Sequence, residues 1–505
     1  MRKAAIRTMS GVAIVTSLTE PYACPGKCVY CPSEAGMPKS YLSNEPAAAR
    51  ALGLNFDPYE QMARRIEMLK TNGHPTDKIE FIVKGGSWNA YPLEYQYNFI
   101  LQSFKACNEM KKKKQDTRLR FVSDGQARYK KYSISNIQYL TKALQEEQTL
   151  NETARHRIIG LTLETRPDLI TPETIYHMRQ MGCTRVELGL QAPDDKILKL
   201  TKRGHTVQQF KDAMLLLRQA GFKVDLHFMP GLPGSTARHD VEMYKQIFSD
   251  PGLKPDMIKI YPCSVIKNTE LYKWYKQGKY KPYSQKKLVD ALIEMKLATP
   301  RYCRISRLIR DIPEPSIEAG NKVTNLRQDL VKEMQKRGLK CRCLRCREIG
   351  HQQNLQLTTY PDKVRDPVFH RDNLQLFIDK YKTVGGTEYF LSFEDKKRQV
   401  VFAFCRLRLP QSFNLSIFKS SYLPALIREL HTYGQMIAIG KTQNPNNKTQ
   451  VQHKGLGKKL MAEAEKIAKK NKFKKISVIS GVGVRGYYRK LGYRKEGTYM
   501  TKKLS

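Results

Sequence analysis

At 505 residues the chain is long enough for two or three domains, each with its own core. It carries 89 lysines and arginines against 47 acidic residues, a net charge of +42, and no uninterrupted apolar run approaches transmembrane length. No membrane-crossing helix is therefore expected, and a polyanion, nucleic acid ahead of a membrane, is the natural counterpart of the charge.

Eleven cysteines, an odd number and clustered, argue against a disulfide framework and for metals in a reducing, cytoplasmic compartment. The N-terminus has a basic start and an apolar stretch over 11–15. That stretch is too short for the core of a signal peptide and runs straight into the first cysteines, so it reads as a first strand. Cys24, Cys28 and Cys31 follow in CPGKCVYC. Three thiolates at this spacing hold three irons of a cubane [4Fe-4S] cluster and leave the fourth iron open. In radical chemistry the open iron chelates S-adenosyl-L-methionine (SAM). The competing readings are half a zinc site or a disulfide pair. Zinc normally closes four ligands, and no fourth cysteine or any histidine lies between residues 1 and 73.

Downstream, strand-like runs at 78–84, 158–163, 185–191, 223–229 and 257–261 alternate with helical patterns at 58–72, 172–181, 206–220 and 239–248. This alternation predicts parallel strands with right-handed crossovers, a whole or partial barrel with its site at the strand carboxyl ends. Gly85 and Gly86 end one strand and suit close backbone approach to the amino group of SAM, or only a turn. Glu164, Arg166 and Glu187 are candidates for its ribose or carboxylate, or for barrel ion pairs.

A cysteine-rich joint follows. Cys341, Cys343 and Cys346 in KCRCLRCR read as a zinc site, with Cys303 or His351 as the fourth ligand, ahead of the alternative of a second iron–sulfur cluster. From about Asp366 antiparallel-looking strands are expected: a hairpin of 387–394 and 399–409, then a longer strand over 427–439. Gln452-His453-Lys454-Gly455-Leu456-Gly457 opens a helix over 458–470, and a glycine turn at a helix N-terminus suits a pyrophosphate. A strand at 475–480 and a short helix around Tyr487 and Tyr488 complete a pattern that resembles the GNAT acetyltransferase fold. There the glycine turn holds coenzyme A, and Tyr488 would protonate the departing thiolate, or is simply a core tyrosine. The predicted fold class is thus α/β, a partial parallel (β/α) radical SAM barrel (1–320), a zinc-stabilised linker (321–365) and a GNAT-type α+β domain (366–505).

The strings GKCVYCP, FDPYEQ, LETRPD, GCTRVELGLQ, RGHT, RDIPEP, RELHTYG and ISGVGVRGYYRKLGY make nearly the whole chain similar to the family of Elongator catalytic subunits. The resemblance implies a tRNA-modifying acyltransferase that uses acetyl-CoA and a SAM-derived 5′-deoxyadenosyl radical to form 5-carboxymethyluridine at the anticodon wobble position. It puts the cluster on Cys24, Cys28 and Cys31. It puts the acetyl-CoA contacts on Glu429, Leu430, His431, Thr432, Leu456, Gly457, Lys458 and Tyr488, with Lys78 contributed by the first domain. The short start, the Cys-x3-Cys spacing and the full cysteine set at the joint point to a bacterial or archaeal type. They leave room for a homodimer working without the other Elongator subunits, and an electron donor is required.

For the tRNA anticodon stem-loop, basic segments are candidates: lysines 111–114 with Arg118 and Arg120, and Arg128 with Lys130 and Lys131. Arg301, Arg304, Arg307 and Arg310, then Arg337, Arg342, Arg345 and Arg347, extend the set. Tyr272, Trp274, Tyr275, Tyr280 and Tyr283, interleaved with lysines, suit stacking on unpaired bases, or else pack inward. Two rival functions remain at this stage: a protein lysine acetyltransferase using the second domain alone, and a non-catalytic tRNA-binding scaffold with a structural cluster.

Overall fold

A computed structural model of the chain describes residues 11–110, 134–350, 374–411, 423–433 and 455–504. The basic runs between 111 and 131, His351, the boundary at 366 and Gln452-His453-Lys454 lie outside the described residues.

Seven strands form the first sheet: β1 (Ala13–Leu18), β2 (Lys78–Lys84), β3 (Arg157–Thr165), β4 (Arg185–Gln191), β5 (Lys223–Phe228), β6 (Met257–Ile260) and β7 (Arg304–Arg307). They pair in chain order and every pairing is parallel. Helices such as Pro58–Thr71, Pro172–Gln180 and Val207–Gln219 make the crossovers. Their starts are written locally: Pro58 and Pro172 occupy first-turn positions, and Thr171–Thr174 and Thr206–Gln209 form capping boxes. The edge strands β1 and β7 do not pair with each other among the described residues, so the barrel is open along one side.

Strand β2, KIEFIVK, shows how the sequence sorts the two faces. Ile79, Phe81 and Val83 are fully buried against the helical layer, while Lys78, Glu80, Ile82 and Lys84 line the interior. The period-2 alternation of a strand does this without further instruction. A charged interior is unusual for a parallel barrel, which normally fills with branched apolar residues. It marks a lumen built to hold polar ligands.

The second sheet contains β8 (Leu374–Thr383), β9 (Gly386–Asp395), β10 (Val401–Pro410), β11 (Ala425–Thr432), β12 (Lys475–Val478), β13 (Arg494–Glu496) and β14 (Tyr499–Lys503), in the order β8-β9-β10-β11-β12-β14-β13. All neighbours are antiparallel except β11 and β12. Those two pair only from Ala425 to Ile427, so through Glu429–Thr432 β11 pairs with β10 alone and extends past β12. The sequence anticipated the β9–β10 hairpin and the glycine-turn helix. It missed β8, whose exposed face mixes Leu376 and Ile378 with Lys380 and Lys382, and β7, four residues with two arginines and little apolar signal.

The two sheets share one core. Ile479 and Val482 after β12, with Phe390, Phe402 and Phe404, belong to the same apolar cluster as the barrel strands. Gly481 sits against β3 so closely that a Cβ there would stand 1.9 Å from the Ile159 carbonyl oxygen. A charged lattice completes the joint. Asp256 and Glu388, both fully buried, accept from Arg218, Arg408 and Arg428, and Arg406 lies 3.7 Å from Asp256.

Candidate active site

A cavity of about 1270 Å³ runs from the barrel lumen into the second domain. Its walls include Lys78, Glu80 and Lys84 of β2, Arg185 and Glu187 of β4, Lys223 and Asp225 of β5 and Lys259 of β6. On the other side stand Glu429, Leu430, His431 and Thr432 of β11, Leu456, Gly457 and Lys458, and Tyr487 and Tyr488. The predicted acetyl-CoA contacts and the barrel interior therefore face one chamber.

At its lower end burial shifts the Lys78 ammonium below its usual pKa, with Asp77 opposing the shift. Glu80 pairs with Arg185, and Lys223 (3.4 Å) and Arg406 (2.8 Å) hold Glu429. Burial alone would raise the Glu429 pKa, but Lys223, Arg406 and His431 bring it to about 2, so it is ionised at any working pH. His431 stacks on Phe404, ring centres 5.8 Å apart. Gly455, with φ of 84°, turns the chain into the helix that presents Leu456, Gly457 and Lys458. Tyr488 is 6% exposed, and burial, with Cys405 beside it, pushes its phenol well up. Tyr487, which the sequence reading passed over, stands with its hydroxyl 2.9 Å from the point a Cβ on Gly457 would occupy.

Higher in the lumen the charges interlock. Lys84 lies 3.3 Å from Glu187 and 3.6 Å from Glu164, Lys259 pairs with Glu187, and His227 is 3.5 Å from it. Tyr41 donates to Glu164 at 3.1 Å. Glu164, Glu187 and His227 draw together within 4.8 Å, but two ammonium groups already neutralise the carboxylates, so the set is an ion-pair lattice. Lys259 and His227 were invisible to motif reading, and Lys84 stood out only as the polar end of its strand. The signal lay in the inward register of β2, β5 and β6.

Above the strand ends sits the cysteine loop. Its Val29 N–H donates to the Thr201 carbonyl (3.1 Å), and the Leu271 N–H to the Val29 carbonyl (2.9 Å). Beside it, Gly85 and Gly86 take φ of 128° and 111°, and a Cβ on Gly85 would stand 1.9 Å from Thr19 Oγ1. The sulfurs of Cys24, Cys28 and Cys31 spread wider than the 4.8 Å within which Cys341, Cys343 and Cys346 gather. The wide set suits the corners of a cubane, and the tight set a single ion. Two buried arginines keep guanidinium atoms without partners around the wide set, Arg166 Nη1 and Arg203 Nε, as an anionic cluster would require.

The joint refines one expectation and corrects another. Cys303 is not gathered with Cys341, Cys343 and Cys346 within 4.8 Å, but it borders them: its buried thiol is within electrostatic reach of Cys343, and its carbonyl accepts from the Leu344 N–H at 2.9 Å. The cation at the thiolates is Lys296, fully buried, with Nζ 3.7 Å from Cys346 Sγ. Three arginines proposed for phosphate contact are committed internally, Arg304 to Glu348, Arg310 to Glu45 and Arg347 to Glu394, while Arg307 and Arg337 pair with Asp311 and Asp290 at the surface. The aromatic run also packs inward. Tyr280 donates to the Gly231 carbonyl (2.7 Å) and Tyr283 to Asp240 (2.6 Å), while Tyr272, Trp274 and Tyr275 lie against the core.

Comparison with known proteins agrees with this anatomy. The Radical SAM superfamily model matches residues 21–247, the Radical_SAM C-terminal domain 255–336 and the acetyltransferase (GNAT) domain 448–503. The tRNA uridine(34) acetyltransferase of Methanocaldococcus infernus is 43% identical over all of this chain and 88% of its own. That of Dehalococcoides mccartyi is 39% identical over 99% of both. Elongator complex protein 3 of Schizosaccharomyces pombe is 34% identical over 99% of this chain and 86% of its own. The solved structure of archaeal Methanocaldococcus infernus Elp3 with an N-terminus deletion superposes with a TM-score of 0.78 at 40% identity, covering 98% of this chain and 100% of that one. With a radical SAM half-barrel and a GNAT domain along one chain, and relatives this similar over nearly all of this chain and most of their own lengths, the protein belongs to the family of tRNA uridine(34) acetyltransferases and Elongator complex protein 3.

Proposed function

We propose that the chain modifies the wobble uridine of tRNA, forming 5-carboxymethyluridine from acetyl-CoA with a radical derived from SAM. One observation carries the reading: residues of the half-barrel and of the GNAT groove line a single cavity. A lysine acetyltransferase needs a groove open to a peptide and has no use for a thioester that faces a charged lumen.

Cys24, Cys28 and Cys31 would hold the [4Fe-4S] cluster, and Gly85, Gly86 and Glu187 would border SAM. When bound, the cluster supplies the electron that cleaves SAM to the hydrogen-abstracting 5′-deoxyadenosyl radical. The chain's own work is positioning and charge control. The N-terminal turn of the helix Leu456–Lys470 offers backbone N–H groups of Leu456, Gly457 and Lys458 to the coenzyme A pyrophosphate. Glu429 to Thr432, which line the cavity beyond the last β11–β12 pair at Ile427, run along the pantetheine, and Lys78 closes the barrel side of the pocket. Tyr488, its phenol kept protonated by burial, holds a proton for the departing thiolate. Cys341, Cys343 and Cys346 would bind zinc, offset by Lys296. The net charge of +42 suits the tRNA backbone.

The test is anaerobic reconstitution with a low-potential reductant, SAM, acetyl-CoA and tRNA, followed by mass spectrometry of the digested nucleosides. Carboxymethyluridine is expected with the wild type and absent with Cys28→Ala. An intact cluster with no modified uridine, or product from the alanine variant, refutes the proposal.

A further inference from the structure

Arg203 is 7% exposed, and no carboxylate stands in ion-pair contact with it among the described residues. Its Nη1 donates toward Cys28 Sγ at 3.6 Å, its Nη2 to the Gly189 carbonyl at 2.9 Å, and its Nε has no partner. The backbone is pinned: Lys202 and Gly204 on either side have φ of 54° and 77°, and the Arg203 N–H donates to the Leu198 carbonyl. An isolated guanidinium so deeply buried is costly unless something negative faces it.

The sequence also makes room for it. A Cβ on Gly189 would stand 2.6 Å from Arg203 Nη2, so the glycine of ELGLQ clears the seat of the guanidinium. Arg166 is placed in a parallel way, since a Cβ on Gly26 of CPGKC would stand 2.4 Å from its Nη1 and 3.6 Å from Cys24 Sγ. Arg166 differs in one respect. Asp168 takes its Nε at 2.9 Å and its Nη2 at 3.1 Å, which offsets its charge.

We propose that Arg203 is a positioning residue for electron entry: its charge and its bond to the Cys28 sulfur make the cluster easier to reduce. The inference rests on reading Cys24, Cys28 and Cys31 as the cluster's ligands. A cubane with three thiolate ligands carries one negative charge oxidised and two once a single electron arrives. A fixed cation at its edge therefore favours the reduced form, and hydrogen bonds to ligand sulfurs act in the same direction. The electron comes from a low-potential one-electron donor; the cluster is reduced and the donor oxidised, and no bond in the protein changes. A merely structural arginine would leave the potential where it is.

The experiment is an anaerobic redox titration of the reconstituted full chain without SAM, with dithionite as reductant and the electron paramagnetic resonance signal of the reduced cluster as readout. Iron and sulfide are counted in every sample. Arg203→Gln is expected to make the cluster at least tenfold harder to reduce, a fall of about 59 mV for one electron. Arg203→Lys recovers most of that, and Arg166→Gln shifts it less. Should Arg203→Gln fail to assemble a cluster, Gly189→Ala decides. It keeps the charge but displaces the fork from Cys28, and it too is expected to lower the potential. A shift below tenfold in Arg203→Gln, or an unchanged potential in Gly189→Ala where that variant decides, overturns the proposal. A wild type that binds about one zinc and no cubane at these cysteines overturns the ligand reading beneath it instead.

Discussion

Asp256 is where the joint between the two domains is most exposed to a single change. Its carboxylate lies at the first end of β6, fully buried, facing Arg218 at 3.3 Å, Arg406 at 3.7 Å and Arg428, and accepting from the Val224 N–H at 3.0 Å. Arg406 and Arg428 come from the second domain. Each contact near 3.5 Å is worth roughly 5 kcal/mol at an effective dielectric of about 20, against a desolvation cost of several kcal/mol for each ion. The net worth of the lattice is therefore small, yet the penalty for removing one member is not. Asp256→Asn keeps the shape and leaves four buried arginines facing Glu388 and the partly shared Glu429, an expected loss of about 3–5 kcal/mol. Burial alone would raise the Asp256 pKa, but Arg218, Arg428 and Arg406 hold it well below the usual carboxylate range. That stability is fully present above about pH 4, and is lost only as pH falls through the lower folded pKa. Urea unfolding followed by far-ultraviolet circular dichroism and by tyrosine fluorescence should show the variant's transition moved to lower urea at pH 7. Adding Arg218→Met, which removes the surplus charge, should restore part of the loss. If Asp256→Asn unfolds within about 0.5 kcal/mol of the wild type, the lattice does not hold the domains together.

Gly481→Ala forces the turn after β12 away from β3, since its Cβ would meet the Ile159 carbonyl, and should cost about 1–3 kcal/mol and weaken coenzyme A binding measured by calorimetry. Cys343→Ser, or a strong chelator, should remove one zinc per chain by elemental analysis and lower the melting temperature, while iron bound at the N-terminal cysteines stays. His205 is 6% exposed, and burial, with Arg203 beside it, lowers its pKa to about 4. The unfolded chain binds more protons between about pH 4 and pH 6.5, so stability should fall by up to roughly 3 kcal/mol as pH drops through that window. His205→Gln should flatten the fall in thermal melts between pH 4.5 and 7.5.

The barrel was legible because its strands are bounded by strong local punctuation. Runs such as KIEFIVK and RVELGLQ stand between capped helices, and β2 and β4 have the limits the sequence predicts. What was not legible is pairing across distance. Arg304 and Arg310 read as surface cations because nothing in RYCRISR or RDIPEP points to Glu348 and Glu45, their partners in the fold. Cys303, by contrast, does lie by the cysteine loop, with its carbonyl accepting from the Leu344 N–H and its buried thiol within electrostatic reach of Cys343.

The same blindness affects the charge itself. Among the described residues ten arginines are buried, including Arg218, Arg406, Arg408 and Arg428, against two lysines, Lys259 and Lys296. The asymmetry follows from the side chains. A guanidinium is weakly hydrated and forks between two acceptors, as Arg428 does between Glu388 and the Phe222 carbonyl, whereas an ammonium gives up more hydration for less geometry. A surplus of +42 therefore overstates the arginine available to a polyanion, because part of it is consumed in holding the GNAT domain against the barrel. The field outside must come largely from lysines such as Lys273, Lys276, Lys279 and Lys281, exposed beside aromatics that pack inward. A flexible ammonium reads phosphate as a point charge and carries no base preference. On the proposed function, selection of one uridine is then expected inside the cavity, where the charged side chains of Arg185, Lys223 and Glu429 stand, and these exposed lysines supply attraction.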